Sequence, residues 1–158
     1  DGQQAGLSWI TILKRTESYR QAFAQFDPIR IAAFTAADVE RLLQDKGIIR
    51  NRLKVESIIK NARAYLAMQA EGIDFADYLW SFVGGKSRIN HWVSMRDAPT
   101  SSPESDAMSK ALKKRGFSFV GTTICYAFMQ AVGMVNDHEV GCPCHAECVA
   151  LAKLRGRA

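Results

Sequence analysis

Three stretches of this 158-residue chain carry side chains whose types and spacing could do chemistry. The first is Lys113-Lys114-Arg115-Gly116-Phe117-Ser118-Phe119-Val120-Gly121-Thr122. Cations end one helical pattern, a Gly-x-x-x-x-Gly turn follows, and a second helical pattern starts at its far side. A helix–hairpin–helix of this kind presents backbone N–H groups at a helix N-terminus beside cationic side chains, which suits a phosphate. It would grip a nucleic-acid backbone without reading sequence. The plainer alternative is that Gly116 only ends a helix, and the cations are a solvated last turn favoured by the helix dipole.

The second stretch, Asp1-Gly2-Gln3-Gln4-Ala5-Gly6-Leu7-Ser8-Trp9, is small and glycine-punctuated, then abruptly aromatic. A loop like this can bring backbone close to a ligand, with Trp9 as a stacking platform. An isolated tryptophan on an apolar stripe also fits the core. The third stretch, His138-x3-Cys142-x-Cys144-His145-x2-Cys148, offers five zinc-type donors in eleven residues, at a spacing of no familiar finger. Crowded cysteines make a poor disulfide framework. The alternative to a metal is a set of reduced thiols in a C-terminal loop. Cys125 sits alone in an apolar helical pattern and reads as core filling. No Ser/His/Asp arrangement or phosphate loop appears, and exposed helix faces account for His91 and Glu56.

Helices must position all three stretches. Trp9, Ile12, Leu13, Thr16, Arg20 and Phe23 recur at helical spacing and predict one amphipathic stripe. Asp27-Pro28 caps and opens a short helix through Ala33. Thr35 and Asp38 form a shortened capping box for a helix that stops near Gly47. Val55, Ile58, Ile59, Ala62, Leu66 and Gln69 predict a long helix ending at Gly72. Residues 75–83 form a short aromatic-rich amphipathic segment, and 84–100 hold no sustained period and read as a connection. Ser102-Pro103-Glu104 restarts a helix that runs to Gly116. Val120, Ile124, Ala127, Phe128 and Ala131 give the next helix its buried face, closed by Gly133. The basic tail from Ala150 to Ala158 is expected to fray. No period-two pattern persists, so the expected class is all-α.

Composition agrees with a soluble globular chain: 47% hydrophobic, 23% charged and a net charge of +5, which is compatible with a polyanionic partner. No apolar run approaches the roughly 18 residues of a membrane span, and no signal peptide is visible. The length suits one compact domain or two small lobes sharing a core, and the expected organisation is a single domain over 1–158.

The strings Gly2–Trp9, Gly47-Ile48-Ile49-Arg50, Trp80-Ser81-Phe82-Val83, Ser109–Phe117, Phe119–Tyr126 and Asn136-Asp137-His138 with Cys142 closely resemble the bacterial 3-methyladenine DNA glycosylase I family. The resemblance runs in order through Cys142. It implies a helix–hairpin–helix glycosylase bundle with a zinc-associated terminal lobe. Residues 1–26 and 103–158 would flank base pocket and hairpin, and 27–100 would form the central part. The implied activity is hydrolysis of the N-glycosidic bond of a flipped 3-methyladenine in alkylated duplex DNA, with free 3-methyladenine as product. The implied setting is a monomer in the bacterial cytoplasm, with no membrane partner. Trp9 matches the family's pocket tryptophan, and Asp1 falls where the family carries a base-recognition Glu, one methylene longer. Gly6 and Leu7 match the DNA-wedging loop, while Lys114, Arg115, Gly116, Phe117, Gly121 and Thr122 match the DNA-gripping hairpin. His138 and Cys142 match two ligands of a structural zinc. The other two ligands and the pocket tyrosines lie in a segment that precedes the family's match to Asp1, so the chain is expected to be truncated. The family lacks the catalytic Asp of related glycosylases. Asp137 is assigned no catalytic role, and no catalytic residue is named. Without the resemblance, the residues alone also fit a non-enzymatic basic DNA-binding module or a zinc-stabilised structural domain.

Overall fold

A computed structural model describes residues 1–156, and it is helical apart from one short pair of strands. The chain forms two compact units, one made of 1–73 with 112–120 and the other of 74–111 with the chain from 121 onward.

In the first unit, a 3-10 turn at Gly2–Gln4 leads through a loop to α1 (Trp9–Leu13) and α2 (Thr16–Ala22). The single stripe expected from the sequence is therefore broken at Lys14 and Arg15. Local side chains explain the break. Arg15 Nη1 donates to the Thr11 carbonyl (2.8 Å) and Thr16 Oγ1 to the Leu13 carbonyl (2.9 Å). They satisfy acceptors that end α1. After α2, three consecutive non-glycine residues, Ala24, Gln25 and Phe26, adopt left-handed backbone with φ of 51°, 59° and 61°. Each costs about 1–2 kcal/mol. Offsetting contacts surround them: Phe23 is fully buried, with ring centroids 5.8 Å from Tyr19 and 6.2 Å from Phe34, and Arg20 lies over Phe26.

Asp27 then accepts from the Ile29 and Arg30 N–H groups at the start of α3 (Pro28–Ala32). Thr35 and Asp38 complete the expected capping box of α4 (Ala36–Gln44). Next comes α5 (Arg52–Ala70), capped by Asn51 and followed by Gly72 at φ +76°. Its apolar face buries Val55, Ile59 and Ala62 with Leu42, Ile31 and Phe23, the core of this unit.

The second unit holds α6 (Phe75–Ser81), capped by Asp74, then β1 (Arg88–Ile89). β1 pairs in parallel with β2 (Val135–Asn136), Arg88 opposite Val135. The 84–100 connection is thus partly ordered by long-range pairing that its own residues do not announce. α7 (Pro103–Lys114) starts in this unit and ends in the first, and α8 (Thr122–Ala131) follows the hairpin. Cys125, Met108, Met129 and Met134 are buried, so core filling by Cys125 is borne out. The expected fraying tail is helix for most of its length: α9 spans Pro143–Leu154, with Pro143 at its first position and Cys142 as N-cap. The last two residues of that tail lie outside the described ones. Among the described residues no helix is long and apolar enough to cross a membrane.

Candidate base-recognition loop and DNA-gripping hairpin

Helix α5 supplies polar groups to two loops of the first unit. Lys54 is only 6% exposed, and its ammonium donates to the carbonyls of Gln3 (2.8 Å) and Ala5 (2.7 Å). Burial holds that ammonium below the usual lysine range. Gln3 Nε2 in turn donates to the Lys54 carbonyl (3.0 Å) and to Ser57 Oγ (3.3 Å). Its Oε1 accepts from the Tyr19 hydroxyl at 3.2 Å, and that hydroxyl accepts from the Ile49 N–H at 3.2 Å. The first residues of the chain are held by this network, although their own sequence is small and polar.

Asn61 serves the other loop. Its Nδ2 donates to the Ser118 carbonyl (3.0 Å) and its Oδ1 accepts the Ser118 N–H (2.8 Å). The hairpin itself begins where Gly116, at φ +91°, closes α7. The Gly116 N–H donates to the Lys113 carbonyl and the Phe117 N–H to the Leu112 carbonyl, both at 3.0 Å. That is a Schellman C-cap. Gly116 therefore does end a helix, and the chain it turns leads on to α8. Phe117 is buried, while Phe119 is left-handed at φ +55°. Gly121 caps α8 with no side-chain hydrogen bond, and Thr122 Oγ1 lies 2.7 Å from Ser105 Oγ.

The charges around the hairpin differ in availability. Lys113 and Lys114 are exposed. Arg115 Nη1 is drawn 2.9 Å from Glu71 Oε2, at the end of α5. Lys114 is thus the freer cation for a phosphate, and Arg115 bridges hairpin and helix.

Trp9 opens α1 and is 43% exposed, so it does not fill a core. The Asp1 side chain is exposed as well. Gly6 has φ +73° with open space where a Cβ would project, so its backbone conformation, and not crowding, calls for glycine. Leu7 follows, half-buried, its carbonyl accepting from Gln4 Nε2 at 2.5 Å. These four residues share the first unit with residues 114–117, and Gly2 against Phe119 joins the two loops.

In the second unit Asp137 is 6% exposed and accepts four hydrogen bonds: Asn90 Nδ2 (2.6 Å), Trp92 Nε1 (2.7 Å), Tyr126 hydroxyl (2.7 Å) and Gln130 Nε2 (2.8 Å). Burial pushes its carboxyl up, but the donors outweigh burial and hold it below the usual range. A carboxylate so occupied ties 90–92 to α8 and has little capacity left to take a proton from water. His138 is exposed and Cys142 half-buried, and Cys144, His145 and Cys148 lie on α9 instead of in a loop. His145 Nε2 is engaged with the Asn90 carbonyl at 2.8 Å. Among the described residues no three of His, Cys, Asp or Glu are grouped to hold a metal ion. They do not by themselves make the closed four-donor set of a structural zinc.

Lys54, Ser57 and Asn61 escape a reading of the sequence. A buried lysine between Leu53 and Val55 looks like an exposed helix position, and Asn61 reads as solvated. The one available signal is that 54, 57 and 61 fall on one face of a helix otherwise apolar there.

Comparison with known proteins adds a family. Residues 1–145 match the model of a family described as methyladenine glycosylase. The chain is 60% identical over 145 residues to DNA-3-methyladenine glycosylase 1 of Escherichia coli strain K12, covering 92% of this chain and 78% of that protein. It is similar to a crystal structure of 3-methyladenine DNA glycosylase I, with TM-score 0.90, 65% identity, and 91% of this chain and 79% of the other covered. A variant of 3-methyladenine DNA glycosylase I solved in complex with 3-methyladenine is 39% identical, with TM-score 0.85 over 90% of this chain and 76% of the other.

Proposed function

This chain belongs to the methyladenine glycosylase family, and from that premise we propose that it is a DNA repair enzyme that hydrolyses the N-glycosidic bond of 3-methyladenine in alkylated duplex DNA. The lesion base is cationic and already a good leaving group. Water adds its hydroxyl to the sugar carbon, the carbon–nitrogen bond breaks, its electron pair neutralises the departing base, and a proton goes to solvent. The protein's work is to extrude the nucleotide, at a cost of a few kcal/mol, and to hold a planar cation.

Trp9 offers the exposed aromatic face, an interaction of roughly 0.5–2 kcal/mol with a cation. Asp1 supplies the carboxylate for the base edge. Gly6 and Leu7 enter the duplex. In the first unit, Lys114, Arg115, Gly116 and Phe117 present cations and backbone to a sugar–phosphate strand; in the second, the α8 N-terminus at Gly121 and Thr122, capped by no side chain, favours a phosphate. The observation that carries this reading is the close approach of Gly2, at the head of the Trp9 loop, to Phe119 beyond Gly116. His138 and Cys142 are two donors suited to a structural zinc, and closing that site requires ligands beyond the described grouping. No step of the reaction depends on it. The functional form is a monomer.

Release of free 3-methyladenine from methylated DNA tests the activity. Absence of release, with DNA binding retained, would leave only a basic DNA-binding module. Metal analysis of the purified chain tests the zinc: about one ion per chain supports it, and a folded metal-free protein rejects it.

A further inference from the structure

We propose that one face of α5 is a spacer that sets how far the base-recognition loop stands from the DNA-gripping hairpin, with Lys54, Ser57 and Asn61 as its positioning residues. The inference rests on the functional reading above, in which Trp9 meets the base and the hairpin meets the backbone.

The three side chains sit at i, i+3 and i+7, one face of the helix, along about 10 Å of its axis. Lys54 and Ser57 bond the segment at Gln3 and Ala5, and Asn61 bonds Ser118. The Lys54 ammonium and Asn61 amide are directed at loop backbone, so they fix the path of the chain whatever side chains the loops carry. Asn61 holds both the N–H and the carbonyl of one residue, immediately before the left-handed Phe119. Lys54 is costlier to explain as packing. Among the described residues no carboxylate pairs with it, and a buried ammonium is unfavourable unless its donors are used. An apolar residue would fill the helix position without that cost. What the lysine adds is a grip on two loop carbonyls. The Gly2–Phe119 approach closes the third side, so loop, hairpin and helix form a braced triangle.

The chemical reason for a spacer lies in the substrate. An everted base stays attached to its own phosphates, so the distance from gripped strand to aromatic platform is set by the nucleotide. Displacements near 1 Å in positioned reactants can cost on the order of 100-fold in rate.

The test uses the full chain and the variants Lys54→Met and Asn61→Leu, with amide hydrogen exchange, binding of free 3-methyladenine, and binding of unmodified duplex measured for each. Lys54→Met is expected to raise exchange at residues 3–7 and weaken free-base binding about tenfold, with duplex affinity changed by less than about twofold. Asn61→Leu is expected to raise exchange at 117–119 and weaken duplex binding about fivefold, leaving free-base binding unchanged. A purely structural role would move both affinities together in each variant, and that result overturns the proposal. So does unchanged exchange in both loops. If the unsubstituted chain releases no base from methylated DNA, the functional reading fails separately, and the exchange measurements still decide whether α5 holds each loop on its own.

Discussion

Gly2 approaches Phe119 so closely that a Cβ on the glycine would stand 3.1 Å from both the Cβ and the carbonyl oxygen of Phe119. Few real Cβ atoms sit that near to backbone, and Phe119 is already left-handed and braced by the Asn61–Ser118 pair next to it. The looser partner is the N-terminal loop. Gly2→Ala is therefore expected to shift that loop and reduce base excision by about tenfold, while the melting temperature falls by only a few degrees, the equivalent of about 1 kcal/mol. Single-turnover excision and thermal unfolding, measured together, check this. A large melting loss with unchanged excision would contradict it.

Trp9 is exposed at the start of α1, so truncating it removes little packing. Trp9→Ala should weaken free 3-methyladenine binding by roughly 2- to 30-fold, the range of a lost cation–π contact, and leave nonspecific duplex affinity unchanged. Titration with free base and with unmodified duplex distinguishes the two. Equal loss of both would reject a stacking role.

Lys114 and Arg115 are neighbours in different surroundings. Lys114 is exposed, and Arg115 is paired with Glu71. Lys114→Ala should lower the slope of log affinity against log salt by about one without changing the unfolding midpoint. Arg115→Ala should lower the midpoint as well, though by less than about 1 kcal/mol because Glu71 is exposed. Duplex binding across a salt series, with urea unfolding of each variant, provides the comparison. Identical behaviour of the two variants would refute the division.

Tyr19 links α2 to Gln3 and Ile49, and its pH dependence follows from its burial. Burial raises its phenol above the usual range, outweighing the Ile49 hydrogen bond and the Arg15 charge, which lower it. The unfolded chain then loses the phenolic proton first. The contribution is complete below the ordinary tyrosine pKa and declines as pH rises from there through the raised folded value. Tyr19→Phe should show a shallower loss of stability above about pH 10 than the unsubstituted chain. Urea midpoints at a series of alkaline pH values measure it, and parallel curves would exclude Tyr19 as the source.

Helix caps at Asp27, Thr35 and Asp38, the stop at Gly72 and the turn at Gly116 were legible because a capping bond joins residues two to five apart, inside the window a sequence pattern displays. The family strings, too, are local words. The sequence alone therefore determined a helical chain, the glycine stop at Gly116 and its membership among the methyladenine glycosylases. Tertiary structure decided the rest. It exposed the indole, extended helix through the cysteine-rich tail, and drew Arg115 to Glu71. It also buried Lys54 against carbonyls 51 and 49 residues away and clamped Ser118 to Asn61 across 57 residues. Such pairings depend on where packed helices carry the chain in space, and no local periodicity encodes which distant carbonyl a lysine will meet.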